Sequence, residues 1–278
     1  MESKNPNWLA RIREVAASKA TNLDLSSMEL ADLPESLREL PGLEYLHLTG
    51  NRLASIPGWF GELKNLKELF LSDNQLTELP RVVGQLPNLE KLVVTHNQIR
   101  VLPEEIGNLT KLYWLSLRNN QLQSLPANLC KLANLQVLMV SFNYLTSLPA
   151  CFGRLASLLE LDLTGNRLPS LPESFWELEK LESLSLALMP SLNILPESLG
   201  RLANLRKLFL SGNGISSLPD SLSGLSHLEW LFMGNNHVSY LPDGFEKLKK
   251  LERMDISNNP VQNLEAMLKK MTAPPVIS

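Results

Sequence analysis

The sequence predicts an α/β solenoid: a curved horseshoe with a parallel sheet on its concave face and short helical turns or extended segments on its convex face. Three observations lead there. The pattern L-x-x-L-x-L-x-x-N-x-L starts at Leu43 and recurs from Leu66, Leu89, Leu112, Leu135, Leu158, Leu181, Leu205, Leu228 and Leu251. Every step is 23 residues except the 24 from Leu181 to Leu205, and a worn copy, ATNLDLSSMEL, precedes the series at Ala20. Between copies runs a second motif, L-P-x-x-L/F-G-x-L, as in Leu102-Pro103-Glu104-Glu105-Ile106-Gly107-Asn108-Leu109. A unit of this length cannot bury its apolar face alone, so stacked copies must share one continuous core. One domain, 1–278, is therefore expected: a capping helix over 1–19, about eleven repeats over 20–262, and a cap and tail over 263–278.

The elements follow in order. Asn5-Pro6 is a helix entry, and Trp8, Ile12, Val15 and Ala16 then share one helical face, suited to lie over the first strand. Within a repeat, Leu115 and Leu117 alternate with residues pointing the other way, which is the period of a strand with one buried face. The asparagine after each strand stands where the chain turns and backbone groups would be buried without partners. A side-chain amide has the donors and the acceptor to satisfy them across adjacent coils. The proline fixes φ and suits an extended segment or the first turn of a short helix, and the glycine after it lets the chain turn back.

The 24-residue copy departs from this scheme. Met189 stands in place of the asparagine and one residue is added before Leu195-Pro196. The extra residue is expected to bulge outside the sheet. Near the other end, Leu264, Met267, Leu268 and Met271 fall on one helical face and predict a second cap, while Ala273-Pro274-Pro275-Val276 reads as a frayed tail.

These motifs resemble the 23-residue intracellular leucine-rich repeats of Ras-associated scaffold proteins, bacterial Roco GTPases and kinases, and bacterial effectors. The resemblance covers residues 20–264. The irregular copy is similar to the C-x-x-L variant of plant-type and some bacterial repeats, with Met in place of Cys. The family implies protein recognition and leaves the partner open.

Composition narrows the function classes. A net charge of −3 with no basic stretch disfavours nucleic acid. No apolar run reaches the roughly 18 residues that a membrane span needs, and the N-terminus lacks a secretory apolar core. Cys130 and Cys151 are the only cysteines, and the disulfide-bonded caps of extracellular repeats are missing, which favours the cytoplasm. The sequon at Asn108-Leu109-Thr110 points weakly the other way. His47, His96, His227 and His237 occupy different phases, so no metal site is expected. No phosphate-binding loop and no nucleophile with a base is found. The expectation is a non-enzyme without cofactor or metal.

Aromatics make up only 6% of the chain, so their placement is informative. Two strand positions per repeat face the concavity, where the core needs no apolar residue. Tyr45, His47, Phe70, Val93, Trp114, Val137 and Met139 occupy them in the first half, with Phe142 just beyond its strand. Phe209, Trp230 and Phe232 form a second group, separated from the first by Glu160, Asp162 and two serines. Exposed aromatics are the anchors of protein interfaces. The predicted function is a monomeric protein-interaction scaffold binding a protein or peptide there. The alternatives are the sensor or targeting segment of a larger signalling GTPase or kinase, and a bacterial effector that engages a host protein.

Overall fold

In a computed structural model, which describes residues 7–278, the chain divides into two compact units, Met1–Leu135 and Gln136–Ser278. Both are built from the same coil. The first unit opens with helix α1 (Asn7–Ser18) and carries strands β1 (Asn22–Asp24), β2 (Tyr45–His47), β3 (Glu68–Phe70), β4 (Lys91–Val93) and β5 (Trp114–Ser116). Consecutive strands pair in parallel with no slip, so Leu23, Leu46, Leu69, Leu92 and Leu115 stand side by side. The second unit holds β6 (Val137–Met139), β7 (Glu160–Asp162), β8 (Ser183–Ser185), β9 (Lys207–Phe209), β10 (Trp230–Phe232) and β11 (Arg253–Asp255). Helix α2 (Leu264–Lys270) and strand β12 (Val276–Ile277) complete it.

Between β1 and β11, each coil makes one short 3-10 turn opposite the strands, as at Gly58–Glu62 and Glu104–Asn108. In eight of the ten turns proline stands just before the turn in extended conformation, and its carbonyl accepts the first turn bond, as Ile106 N–H to Pro103 O at 3.1 Å; Cys151 and Gly244 stand there in the other two. The proline's missing N–H costs nothing there. The glycine of the L-P-x-x-L-G motif serves a different need from the one its sequence suggests. Gly107 has no left-handed φ; instead a Cβ on it would lie 2.3 Å from the carbonyl oxygen of Asn128 in the next turn. Where glycine holds this position, as at Gly84, Gly107, Gly153 and Gly200, the next turn's backbone approaches too closely for a Cβ; Cys130 and Trp176 occupy the same position in other copies.

The asparagines form the expected ladder. Asn97 Oδ1 accepts the Leu76 N–H at 3.0 Å, while its Nδ2 donates to Leu71 O at 2.9 Å, both in the preceding repeat. Asn74 and Asn120 repeat this in the first unit, and Asn166, Asn236 and Asn259 in the second. The residue before each ladder position is left-handed, as at Asp73 (φ 54°), His96 (φ 51°) and Asn235 (φ 56°). Short polar side chains tolerate that conformation best.

The 24-residue repeat leaves the sheet intact. Leu161, Leu184 and Leu208 remain in register, and the added residue is taken up in a turn closed by Leu192 N–H to Met189 O at 2.9 Å, with Pro190 inside it. Met189 is fully buried and offers no amide, so no asparagine oxygen meets the Leu168 N–H as one does in the complete copies.

Both caps form. The predicted helix entry at Asn5-Pro6 lies outside the described residues. In α1, Ile12 is buried and Trp8 and Val15 are half-buried, while Ala16, expected on the same face, is exposed. Arg11 covers the first strand by donating to Asp24 O at 2.7 Å. In the second unit Met267 and Met271 are buried, and Leu264 and Leu268 half-buried, as the helical spacing predicts. The tail is not frayed. Val276 N–H reaches Glu252 O at 2.8 Å and Ser278 N–H reaches Met254 O at 3.1 Å, so the last residues pair with β11. Backbone pairing needs no sequence signature, and Pro275 lies before the first paired amide, where it removes no ladder bond.

The ladder makes a direct prediction. Asn97→Ala deletes the acceptor of a buried N–H and the donor to a buried carbonyl, and should lower stability by about 1–3 kcal/mol. A urea denaturation with unchanged slope and a lower midpoint is the expected result; an unchanged midpoint would refute a structural role.

Candidate partner-binding face

Parallel pairing without slip turns a spacing of one repeat into adjacency. In the first unit the residues before the central leucines form one column, Tyr45, Glu68, Lys91, Trp114, and those after them a second, His47, Phe70, Val93, Ser116. In the second unit the first column runs Val137, Glu160, Ser183, Lys207, Trp230, Arg253, and the second Met139, Asp162, Ser185, Phe209, Phe232, Asp255. The leucines between the columns point into the core, so these side chains stand on the outer face of the sheet. Tyr45, His47, Phe70, Val93, Trp114, Met139, Phe209, Trp230 and Phe232 are all part-exposed there. Val137 is different: at 7% exposure it is buried and offers a partner little.

The aromatics meet one another. His47 stacks on Phe70 with ring centroids 4.3 Å apart. Phe209 stacks on Phe232 at 5.4 Å, and Trp230 meets Phe232 edge-on at 6.3 Å. Such pairs are the sheet's own stabilising contacts and also hold the rings in fixed positions.

Cations complete both clusters. Lys91 Nζ lies 5.3 Å from the Phe70 centroid and 5.0 Å from that of Trp114. Trp230 is bracketed by Lys207 Nζ at 4.4 Å and the Arg253 guanidinium at 5.1 Å. These cations were not among the residues singled out from the sequence. Their signal was present: Lys91 precedes Trp114 and Lys207 precedes Trp230 by one repeat in the same column. The predicted aromatic surface is therefore an aromatic–cationic one, because a flexible ammonium gains more over an adjacent ring face than in water alone.

Phe142 sits off the strand, in the left-handed conformation (φ 55°) and 43% exposed. A bulky residue rarely adopts that φ. Its ring lies over Gly165, where a Cβ would come within 2.8 Å of Phe142 Cδ1. Leu188 repeats the arrangement over Gly212, at φ 53° and 51% exposed. Both glycines are themselves left-handed, at φ 69° and 73°.

One position earlier than the first column, cations are paired with carboxylates. Lys67 reaches Glu44 at 3.0 Å and Arg206 reaches Glu229 at 2.7 Å. The Glu229 hydrogen bond, reinforced by the charges of Glu229, Glu182 and Glu252, holds Arg206 above its ordinary pKa. Of the histidines, His96 lies 3.7 Å from Asp73 and its Nε2 2.8 Å from Asn119 Nδ2, and His227 Nδ1 is 3.2 Å from Ala203 O. Among the described residues no group of three or more His, Cys, Asp and Glu is placed to hold a metal, and no helix is long and apolar enough to cross a membrane. Neither cysteine is free.

A coil of one short strand, one 3-10 turn and an asparagine ladder defines the class, and comparison with known families agrees. Leucine-rich repeat families match over residues 42–63, 54–99, 92–186, 191–238 and 203–261. The chain is a leucine-rich-repeat protein. No curated protein sequence matches it. Among solved structures it is similar to a leucine-rich-repeat protein of Leptospira interrogans, at 27% identity over 100% of both chains with a TM-score of 0.50. It is also similar to a TDR receptor, at 28% identity over 91% of this chain and 46% of that one, TM-score 0.79. A third similarity is to the ectodomain of the plant membrane receptor kinase GASSHO1/SCHENGEN3 from Arabidopsis thaliana, in complex with Casparian strip integrity factor 2. There the identity is 29% over 89% of this chain and 34% of that one, TM-score 0.67. The chain spans less than half the length of either receptor.

Gly165→Ala tests the Phe142 turn. It places a Cβ against the ring at a left-handed position and should cost about 1–2 kcal/mol. Adding Phe142→Ala should recover the steric part only. A urea midpoint equal to wild type for Gly165→Ala would show that the turn does not need glycine.

Proposed function

We propose that this protein is a non-catalytic interaction scaffold, monomeric, that takes a partner protein or peptide on the outer face of its sheets. One observation carries the reading. The leucine core is complete without them, yet aromatic side chains stand part-exposed on that face, held in fixed geometry by stacking and by cations. Rigid, half-exposed aromatics supply large contact area at low entropic cost, which is why they dominate binding energy at interfaces. Tyr45, His47, Phe70, Val93 and Trp114 serve in the first unit, and Met139, Phe142, Phe209, Trp230 and Phe232 in the second. The similar Arabidopsis ectodomain, itself in complex with Casparian strip integrity factor 2, supports the same use of the fold. Because the chain matches only 46% and 34% of the two receptors, a sensor segment of a larger signalling protein is a second reading with support.

The compartment assigned with this function is the cytoplasm, on the likeness of the repeat to the intracellular class. Set against it, neither cysteine is free, and bonded cysteines suit an oxidising compartment. Cell fractionation decides between them, since recovery in an oxidising compartment would overturn the assignment.

The partner recovered by affinity capture with the wild-type chain provides the binding test. Trp114→Ala and Trp230→Ala should each weaken the purified partner by about thirtyfold, or roughly 2 kcal/mol, with circular dichroism unchanged. Glu104→Ala, on a 3-10 turn away from the sheet face, should leave affinity within a few-fold. Equal binding by wild type and both tryptophan variants would remove the sheet-face reading.

A further inference from the structure

The departures from the repeat in the second unit fall together. Trp176 stands at the phase held in other copies by Gly61, Gly84, Gly107, Gly153 and Gly200. One repeat later come the added residue and Met189 in place of the asparagine. The 3-10 turns Glu173–Glu177 and Glu197–Arg201 pack more loosely on each other than either does on its other neighbour. Leu171 shows the result. Wherever else leucine or isoleucine precedes the motif proline, from Leu33 to Leu241, it is buried, whereas Leu171 is only half-buried. Between the two coils lies a partly open cavity of about 330 Å³. Leu171, Trp176, Leu192 and Ile194 give it apolar walls, and Glu173 is the one charged group that lines it. Ile194, at a phase that is serine in copies such as Ser147 and Ser170, is 72% exposed. Glu173 Oε1 accepts from Ser198 Oγ at 3.1 Å and from Arg201 Nη1 at 2.9 Å, while its Oε2 accepts nothing among the described residues.

We propose that this cavity is a binding site for a small, neutral aromatic compound of one or two rings that carries a hydrogen-bond donor. Its volume is near the lower end of ligand cavities, roughly 300–1,000 Å³, and its lining has their character, mostly apolar with a few placed polar groups. A flat, rigid ring covers Leu171 and Ile194 at little entropic cost. The donor is called for by the unused oxygen of Glu173, which can only accept. A cation is not called for, because Arg201 already meets the charge of that carboxylate. An anion would face the carboxylate directly. The cavity lies between the ladder and the 3-10 turns and shares no residue with the aromatic sheet face, so this inference goes beyond the proposed partner site and does not depend on it. The chain departs from its repeat where room for a ligand appears: the loosened turns that admit the Trp176 indole also leave Leu171 uncovered.

Indole has the ring size and the donor, and 1-methylindole lacks only the donor, so the two serve as probes. In carbon-13 methyl spectra of the intact protein, added indole should shift the Leu171 and Ile194 signals along one saturable curve. 1-Methylindole should bind about threefold or more weakly, and Glu173→Ala should erase that difference. Ile194→Ser, which restores the residue of other copies, should weaken indole by about threefold or more through lost apolar contact. Leu171→Phe fills the cavity and should abolish saturation. Ile194 is exposed, so its variant keeps the test decisive even if Leu171→Phe fails to fold, which circular dichroism reports. Leu171 and Ile194 signals that stay fixed up to the solubility of indole would overturn the proposal. So would unchanged indole affinity in Ile194→Ser, or equal affinity of the wild type for the two probes. Saturable shifts confined to sheet-face methyls such as those of Val93 and Met139 would place the ring on the partner face and also overturn it.

Discussion

Every coil of this protein must turn out of its strand, and the turn strands backbone amides and carbonyls in the interior. The asparagine amide resolves that problem by bonding to the preceding repeat, as Asn97 does with Leu76 and Leu71. Because its partners lie in the coil before it, the bond also fixes the spacing between coils. A buried peptide group left unpaired costs about as much as a hydrogen bond is worth, so any repeat that changes length between two asparagines is penalised. The irregular copy shows what tolerance costs. Met189 gives up the amide, and the added residue is confined to a turn around Pro190 that leaves the register of Leu184 and Leu208 untouched.

Regular spacing on the sheet side has a functional consequence. With each strand in register, residues one repeat apart become cross-strand neighbours, and side chains that share a phase line up. Stacked rings such as Phe209 and Phe232, and cation–ring pairs such as Lys207 and Trp230, are built from residues a full repeat apart in sequence. A short strand of three residues presents only two outward side chains, so variety must come from the column rather than the strand. Each repeat contributes one or two elements to a surface that the core does not constrain. The leucines stay constant while the columns change, and a scaffold of this kind can alter its recognition without altering its fold.

The opposite face is governed by a different limit. In the copies with glycine after the buried turn residue, neighbouring 3-10 turns approach until a single Cβ would strike the next backbone, as at Gly107 and Asn128. The sheet side is spaced by backbone hydrogen bonds and the turn side by backbone contact. Glycine and proline on the turn side therefore answer to packing, whereas aromatics and charges on the sheet side do not. The left-handed Phe142 and Leu188 are the places where a bulky side chain is held against local preference, each accommodated by a glycine one repeat on.

The sequence by itself determined the repeat, its strands, the asparagine ladder, the two capping helices and the residues facing outward. These follow from local periodicity: leucines at fixed phase can be buried in only one way, and an amide at fixed phase has one set of partners within reach. Only the tertiary structure decided the rest. Residues 276–278 pair with β11 through backbone atoms, which carry no side-chain signature. Gly107 is required by the proximity of another coil, a distance that no single repeat encodes. Lys91, Lys207 and Arg253 lie over aromatic rings contributed by the neighbouring strands, contacts between residues a full repeat apart. Val137, in phase with Trp114 and Trp230, is buried where they are part-exposed. Phase fixes the direction of a side chain, but its surroundings depend on every neighbour that the fold brings to it.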